Sequence, residues 1–347
     1  MTLIYDSSRW ATPKERAAFE ARLRRLRGAF GEAVERTAAK TRESFPVESA
    51  LAARGFRVRP SFSYRSIPAP GGYSDRKVPP RRFRPPATRI SSSQGSALRF
   101  FLMTLAVAQL TKRAGSRPDH MPLLASSDRP GWTDFVVTDA EDQGRGKVFI
   151  PAKEKRARSI RSSLKTLDSA GLVALQESIG GRGRYENFLL LDEAGSQFNE
   201  AGTRLNEVEL YKVPMAGTPT INLPADFIKN SWLHVLEDSE ISLLLMIAYG
   251  RGSLPDEDGY IAIPSETRLR HYGIGRDPFS HARKTLEWLG LVDVREVGRH
   301  EDGRAEGEDG PFLHRFALKP EGFAQPGLAT AIATLEEQIR RSEKWST

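Results

Sequence analysis

The sequence contains no cysteine, and this absence excludes several kinds of chemistry. Disulfide frameworks, cysteine-ligated zinc sites, iron–sulfur clusters and cysteine nucleophiles all need thiols. The six histidines show neither H-x-x-x-H nor H-E-x-x-H spacing, so we expect no metal ion and no cofactor. No phosphate-binding glycine loop follows a predicted strand, and the nucleophile elbow G-x-S-x-G is missing. We therefore expect a protein that is not an enzyme.

Long apolar runs are also missing. The most apolar segments, "FFLMTLAVAQL" from residue 100 and "ISLLLMIAYG" from residue 241, are much shorter than the roughly 20 residues that cross a bilayer. The first residues, "MTLIYDSSRW", do not show the charged and then apolar pattern of a signal peptide. We expect a cytoplasmic protein without a membrane partner.

The basic residues are unevenly distributed along the chain of 347 residues, which has a net charge of +8. Residues 1–95 hold 20 Lys and Arg against 8 Asp and Glu, whereas residues 96–347 hold 32 against 36. A basic N-terminal part indicates a polyanionic partner, with nucleic acid or an anionic membrane surface as the main candidates. The length itself predicts about two folded units.

The N-terminal 95 residues divide into two parts. Phe19, Leu23, Leu26, Phe30 and Val34 form one apolar stripe, which predicts a helical region within residues 1–56. Such a helix can pack on its own domain, on a second copy, or on nucleic acid or a membrane surface. Residues 57–95 are rich in Pro, Gly and Ser and carry nine Lys and Arg against one acid. This composition predicts an extended or disordered basic linker that contacts nucleic-acid backbone. Its interleaved aromatics, Phe62, Tyr64, Tyr73 and Phe83, stack on bases or dock on the domain behind them.

The remainder contains an internal repeat. "KTLDSAGLVALQE" at 165–177 matches "KTLEWLGLVDVRE" at 284–296, and "VFIPAKEKRAR" from residue 148 matches "IAIPSETRLR" from residue 261. Each copy follows an apolar helix and precedes a two-strand pattern. We therefore predict two copies of one supersecondary unit, at 96–195 and 196–322, followed by a C-terminal capping or dimerisation helix at 323–347.

The order within the unit is a helix, a short strand ending in Ile-Pro, a helical segment, Gly-Leu-Val and a hairpin. Gly171 and Gly290 stand where a helix C-cap favours the left-handed conformation. The unit resembles the winged helix-turn-helix fold, which places its third helix in the DNA major groove and its hairpin beside the backbone. The expected fold class is therefore mainly α with small β-hairpins, built from two tandem winged-helix domains.

The resemblance implies a set of residues that contact double-stranded DNA. The candidate base contacts are Arg158, Arg161, Ser162, Lys165, His281 and Lys284. The candidate phosphate contacts in the first copy are Lys153, Lys155, Arg156, Arg182 and Arg184. Three further arginines of the second copy complete the set: Arg268, Arg270 and Arg276.

The two copies differ in ways that leave alternatives open. The second copy carries an acidic wing loop, "EDGRAEGEDG" at 301–310, which would repel phosphates, so its helix binds DNA or serves dimerisation or docking instead. Between Ile-Pro and Lys-Thr-Leu the first copy has 13 residues and the second has 19. The first copy is too short for two full helices, so its scaffold helix is truncated or supplied from elsewhere, for example by residues around "GWTDFVVTDAED".

The tandem arrangement is similar to that of plasmid replication initiators. It implies sequence-specific binding of double-stranded DNA for replication initiation on a plasmid or another mobile element. Transcriptional regulation is the alternative function, and a winged-helix scaffold for protein interactions is a second alternative. A homodimer through the N- or C-terminal helices is compatible with each of these functions.

Overall fold

Helices make up most of the regular secondary structure. The computed structural model describes residues 13–45, 55–71, 78–92, 95–138, 143–145, 148–176, 183–199, 201–295 and 314–343. The helices are, in chain order, α1 (Pro13–Arg27), α2 (Ala29–Ser44), α3 (Pro86–Ile90), α4 (Ala97–Thr111), α5 (Ala152–Ala170), α6 (Gly183–Glu186), α7 (Asp226–Lys229), α8 (Trp232–Val235), α9 (Asp238–Tyr249), α10 (Ser265–Arg270), α11 (Arg276–Trp288) and α12 (Gly327–Glu343).

The strands are short and form small antiparallel sheets. They are, in chain order, β1 (Phe56–Val58), β2 (Gln143–Arg145), β3 (Val148–Ile150), β4 (Val173–Ala174), β5 (Leu189–Leu190), β6 (Ile221–Leu223), β7 (Leu254–Pro255), β8 (Ile261–Ala262), β9 (Val292–Arg295) and β10 (Arg315–Leu318). Three sheets are pairs, β1 with β6, β2 with β3 and β4 with β5, and the fourth has the order β7-β8-β10-β9. A mainly helical protein with small antiparallel sheets is what the sequence predicts.

The repeated sequence ends a helix and begins a strand in the same way in both copies. Gly171 and Gly290, directly after α5 and one residue beyond the C-cap of α11, have left-handed φ angles of 71° and 72°. The next amide donates to the carbonyl five residues before it, at 2.9 Å for Leu172 and 3.0 Å for Leu291. This bond is characteristic of the Schellman motif. The following valine then begins β4 or β9, as predicted.

The second copy holds two helices, α10 and α11, between its Ile-Pro sequence and Gly290. After α9 come β7, β8, α10, the turn 271–275, α11, β9 and β10. Strand β10 lies between β8 and β9, so Arg315 is opposite both Ala262 and Arg295. The wing predicted at 301–310 lies outside the described residues.

The first copy is simpler than the second. A single helix of 19 residues, α5, runs from the Ile-Pro sequence to Gly171 and occupies the part of the chain that α10 and α11 share in the second copy. Residues 132–134 form a 3-10 turn that packs against α5, at the place where a substitute scaffold was predicted. Strand β3 pairs with β2 rather than with the β4–β5 pair. The two copies therefore share their helix endings but differ in their sheets.

The N-terminal apolar stripe covers two helices rather than one. The break lies at Gly28, the N-cap of α2, whose extended backbone (φ −94°, ψ −158°) separates the two helices. Glycine destabilises a helix interior and is accepted at an N-cap. Phe19, Leu26, Phe30 and Val34 are buried. Helix α1 packs along α12, and α2 reaches α7. This region is thus part of the folded body and not a projecting arm.

The predicted linker is largely packed, which corrects the sequence-based interpretation. Strand β1 pairs with β6, placing Phe56 opposite Leu223. Phe62 is completely buried and its ring lies 5.1 Å from that of Phe101 on α4. Phe83 is buried as well. Phe62 belongs to the core and Tyr64 packs against it, because long-range contacts override a local composition that disfavours regular structure.

One continuous core of buried apolar side chains joins all five predicted regions. It includes residues of α1, of the predicted linker, of both copies and of α12, whose Leu335 is buried. The C-terminal helix therefore packs on the rest of the protein, which agrees with the capping role, one of the two roles predicted for it besides dimerisation. Within the described residues, no helix is both long enough and apolar enough to cross a membrane.

Candidate nucleic-acid interface

The outer face of α5 is the most exposed of the predicted contact surfaces. The helix starts after Pro151 and buries Ile160, Leu164 and Leu167 at intervals of four and three residues. The opposite side carries Arg158, Ser162 and Lys165, which share one face because they are four and three residues apart. All three are exposed. Helix α5 therefore has a buried apolar side and an exposed side with two basic residues, whereas Arg161, which is also a candidate base contact, is half-buried.

Two of the basic residues of α5 share one carboxylate. Glu154 lies 3.6 Å from the Nε atom of Arg158 and 3.3 Å from the Nη1 atom of Arg161. Lys153 donates to the main-chain oxygen of Ala125 at 2.6 Å. Such partly exposed pairs contribute little stability and can be exchanged for phosphate contacts.

The remaining candidates of α5 differ in exposure. Lys155 and Arg156 are half-buried near the start of the helix. Lys165 is exposed near the end of the helix and has no ion pair with any described residue. An exposed lysine without a carboxylate partner can form an ion pair with a DNA phosphate.

The predicted wing of the first copy is only partly described. Strands β4 and β5 pair as expected, with Val173 opposite Leu190. Arg184 lies on the one-turn helix α6 instead of a hairpin tip, with its guanidinium 5.4 Å from the ring centre of Tyr185. Arg182 lies outside the described residues. Arg184 therefore lies beside an aromatic ring within the folded part of the first copy.

Arg268 and Arg270 of α10 are used within the protein. Arg268 is only 4% exposed, donates to the carbonyl of Ile274 at 2.7 Å and lies over the ring of Phe279. Its assignment as a DNA contact is therefore corrected. Arg270 donates to Glu266 at 2.6 Å and to the carbonyl of Ala69 at 3.1 Å.

The outer face of α11 is covered by α1. Lys284 forms an ion pair of 3.0 Å with Glu15, and His281 stacks on the ring of Phe19 with centroids 6.2 Å apart. Phe19 also meets Trp288 edge to face at 5.4 Å. His281 and Lys284 are half-buried and contact α1, which corrects their assignment as base contacts. The apolar stripe of α1 predicted a buried face but not this partner.

Arg276, the remaining candidate of the second copy, is exposed at the first position of α11. Sequence reasoning missed the arginines that lie near it. Arg81 and Arg84, in the segment taken for a linker, line a cavity together with Arg276. Their only signal in the sequence was the density of basic residues between prolines.

The segment 78–92 lies between the two copies. Its helix α3 packs against α5 on one side and α9 on the other. Thr88 donates to the carbonyl of Tyr272 at 2.9 Å, and Arg89 donates to the carbonyl of Ser196. Burial, with a smaller effect from Arg65, lowers the pKa of Arg89 to about 10. This segment fixes the copies relative to each other and adds basic side chains between them.

The described residues contain no group of three or more His, Asp or Glu side chains arranged to hold a metal ion. Comparison of the chain with protein-family models, with curated proteins and with solved structures finds no match in any of the three.

Proposed function

We propose that this protein binds double-stranded DNA and that the outer face of α5 makes the main contact. The observation that carries this proposal is the exposed row of Arg158, Ser162 and Lys165 along one side of a rigid helix. Arginine and lysine supply phosphate or guanine contacts, and a serine hydroxyl can bond to either a base edge or a phosphate. The buried stripe on the opposite side keeps this face directed outward.

We further propose that residues 238–318 form a winged-helix domain. Its support is the sequence of a helix, a strand, two helices and a hairpin, with β10 between β8 and β9. By the same proposal, residues 97–190 are a reduced version in which α5 combines the scaffold and recognition helices. A continuous helix can still enter a major groove, since the groove accommodates an α-helix of ordinary diameter.

The proposal assigns the two copies different tasks. Helix α5 presents its polar face to solvent, whereas α11 has the equivalent part of its surface packed against α1. DNA contact therefore belongs to the first copy, and the second copy supports it through the segment 78–92. Replication initiation on a plasmid or mobile element is the proposed biological role, on the strength of the resemblance of the two sequence copies to tandem winged helices.

The test is a binding assay on duplex DNA selected from a random pool, at two salt concentrations. We expect the selected duplex to bind at least about 10³-fold more tightly than random duplex, the lower end of specific recognition. Iterated copies of the selected site beside the gene support an initiator, and one palindromic site near a promoter supports a regulator. Binding without any preference for the selected duplex contradicts the proposal and leaves a protein-interaction scaffold.

A further inference from the structure

A large basic cavity lies where the segment 78–92 crosses the first turns of α9 and α11. Its volume is about 1090 Å³, at the upper end of the range typical of small-molecule sites. The walls come from parts of the chain far apart in sequence, since Arg25 of α1 and Arg99 of α4 also line it. The cavity is distinct from the outer face of α5, because none of its lining residues belongs to that helix.

Guanidinium groups are frequent in the lining of this cavity, which includes five arginines: Arg25, Arg81, Arg84, Arg99 and Arg276. Arg81, Arg84 and Arg276 line it, and none of them forms an ion pair with a described carboxylate. The Nε atom of Arg84 donates to the carbonyl of Pro79 at 2.7 Å, and Arg81 donates to the carbonyl of Ser91 at 3.1 Å. Both bonds fix the side chains but leave other N–H groups of each guanidinium for a ligand.

The charge of the lining is mixed, because Glu237, Asp238 and Asp277 line the cavity together with the arginines. Arg84 is half-buried, and its burial and the nearby Arg81 lower its pKa. A cluster of like charges with partial desolvation is costly unless an anion neutralises it. Arginine forks match the oxygen spacing of phosphate and can bind it through two parallel hydrogen bonds.

Two glycines allow these arginines to lie against the start of α11. Gly273 has a left-handed φ of 70°, and a Cβ atom there would lie 2.8 Å from the hydroxyl of Thr88 and 3.0 Å from the Cβ of Arg84. A Cβ at Gly275 would lie 2.9 Å from a methyl carbon of Val78. Gly275 is the N-cap of α11 and offers no side-chain cap, so the positive end of this 13-residue helix faces the same cavity as the arginines.

The part of the lining at the start of α9 includes hydrogen-bond acceptors. Asp238 is only 6% exposed, and its Oδ2 atom accepts from the amide of Ser92 at 3.0 Å. Its Oδ1 atom has no hydrogen-bond partner and lies 3.4 Å from Arg99. The hydroxyl-bearing residues Ser239 and Ser242 line the wall beside it. This side suits the hydroxyl or amino groups of a ligand.

We propose that this cavity binds a phosphorylated ligand of nucleotide size, with its phosphate held by Arg81, Arg84 and Arg276 and its hydrogen-bond donors directed toward Asp238. The proposal does not depend on DNA binding by α5, because it concerns a separate set of residues. The same chemistry can be supplied by a free nucleotide or by a terminal nucleotide of a DNA strand.

The test is calorimetric titration of the full-length protein with ATP, AMP, pyrophosphate and adenosine. We expect the phosphorylated probes to bind and adenosine, which lacks phosphate, not to bind. A single-stranded oligonucleotide with a 5′-phosphate identifies the source. Binding of ATP or AMP assigns the site to a free nucleotide, and binding of the oligonucleotide alone assigns it to a strand terminus. Both results support a phosphate site.

Variants locate the binding. The double variant Arg81→Gln, Arg276→Gln removes two exposed guanidiniums, and we expect it to weaken phosphate binding by about 100-fold, or about tenfold (1.4 kcal/mol) for each charge. The matched control is Arg82→Gln. Arg82 is adjacent to Arg81 and equally basic, but its guanidinium lies over the ring of Phe83, 4.7 Å from the centre, and it does not line the cavity.

Three outcomes overturn the proposal. The first is the absence of binding by every phosphorylated probe at millimolar concentration. The second is equal binding of AMP and adenosine, which would show that phosphate is not recognised. The third is an equal loss of affinity in the control and in the double variant. Thermal melting of each variant verifies that the exposed substitutions leave the fold intact.

Discussion

Arg22 of α1 is bonded to a carboxylate that has almost no access to water. Its Nη1 and Nη2 atoms donate to Glu240 at 2.6 and 2.9 Å, and a further bond of 3.2 Å reaches the carbonyl of Val235. Glu240 is 1% exposed and also caps the start of α9. This buried pair holds the N-terminal helix on the body of the protein.

Replacing one partner of this pair should be strongly destabilising. Glu240→Gln leaves the buried Arg22 guanidinium without its paired carboxylate, and we expect the free energy of unfolding to fall by about 3–5 kcal/mol. Urea denaturation measures the change. The control is Glu20→Gln, which breaks the partly exposed Arg16–Glu20 pair (3.0 Å) on the same helix, for which we expect about 1 kcal/mol or less. Equal losses for the two variants would contradict the importance given to burial.

His234 should make the protein sensitive to acid. It is buried in α8, and its burial, with a smaller effect from Arg99, lowers its pKa to about 3. In the unfolded chain the His234 ring binds a proton below pH about 6.5, while in the folded protein the same ring stays neutral down to pH about 3. The free energy of unfolding should therefore be unaffected by His234 above pH about 6.5 and fall by about 1.4 kcal/mol per pH unit below it, down to pH about 3.

The measurement for His234 is the free energy of unfolding at a series of pH values from 7 to 4, for the native protein and for His234→Leu. Other titrating groups contribute equally to both proteins. We expect the variant to show a shallower dependence on pH across this range, because it lacks the titrating ring. If the free energy of unfolding depends on pH in the same way in both proteins, His234 is not the cause of the acid sensitivity.

At the scale of secondary structure, the repeat provides two glycines in one conformation but in different surroundings. A Cβ atom at Gly171 would lie 2.2 Å from the hydroxyl of Ser196 and 2.7 Å from its amide nitrogen, whereas nothing lies within 4 Å at Gly290. Both positions have left-handed φ angles, so alanine is strained at either. The difference between the two variants isolates the effect of crowding after α5.

Gly290→Ala should cost only the conformational strain, about 1–2 kcal/mol of unfolding free energy. Gly171→Ala should cost more, because the main chain at Ser196 has to move. Thermal and urea unfolding of both variants provide the comparison. A smaller loss at Gly171 than at Gly290 would contradict the close approach of residues 195–196 to the end of α5.

The helix endings were predictable because their signals are local. The spacing of Ile160, Leu164 and Leu167 and the glycine that follows are enough to place α5 and the start of β4. The basic outer face of α5 follows from the same periodicity. Local patterns also identify α9, α11 and α12, whose apolar residues recur at helical spacing.

The contacts between elements were not predictable in the same way. The burial of Phe62 depends on α4, about 40 residues later in the chain, and its Pro- and Ser-rich neighbours disguise it. The pairing of Glu15 with Lys284 joins residues 269 positions apart. The sequence showed that α1 has an apolar face and that α11 has a basic one, but a single sequence cannot specify that the two cover each other.

At the scale of the molecule, the continuous core has a thermodynamic consequence. Because buried side chains connect all the regions, we expect one cooperative unfolding transition with equal calorimetric and van't Hoff enthalpies. A flexible linker between independent domains would instead give separate transitions. Scanning calorimetry distinguishes the two.

A substitution within the predicted linker extends this test. Phe62→Ala removes a completely buried ring and should destabilise the whole protein by about 3–5 kcal/mol, shifting its single transition as a unit. Ile67→Ala is the control, since Ile67 lies in the same stretch but is 62% exposed. If both substitutions leave the transition unchanged, residues 55–71 are not part of the core.

The most direct test of the account compares two lysines at the same position of the repeat. Lys165 is exposed and unpaired among the described residues, whereas Lys284 is bound to Glu15. The measurement is the dependence of duplex-DNA affinity on salt concentration for Lys165→Ala and Lys284→Ala. We predict that Lys165→Ala reduces the salt slope by about 1 and that Lys284→Ala leaves it unchanged. An unchanged slope for Lys165→Ala, or an equal reduction for both variants, would contradict DNA binding by α5.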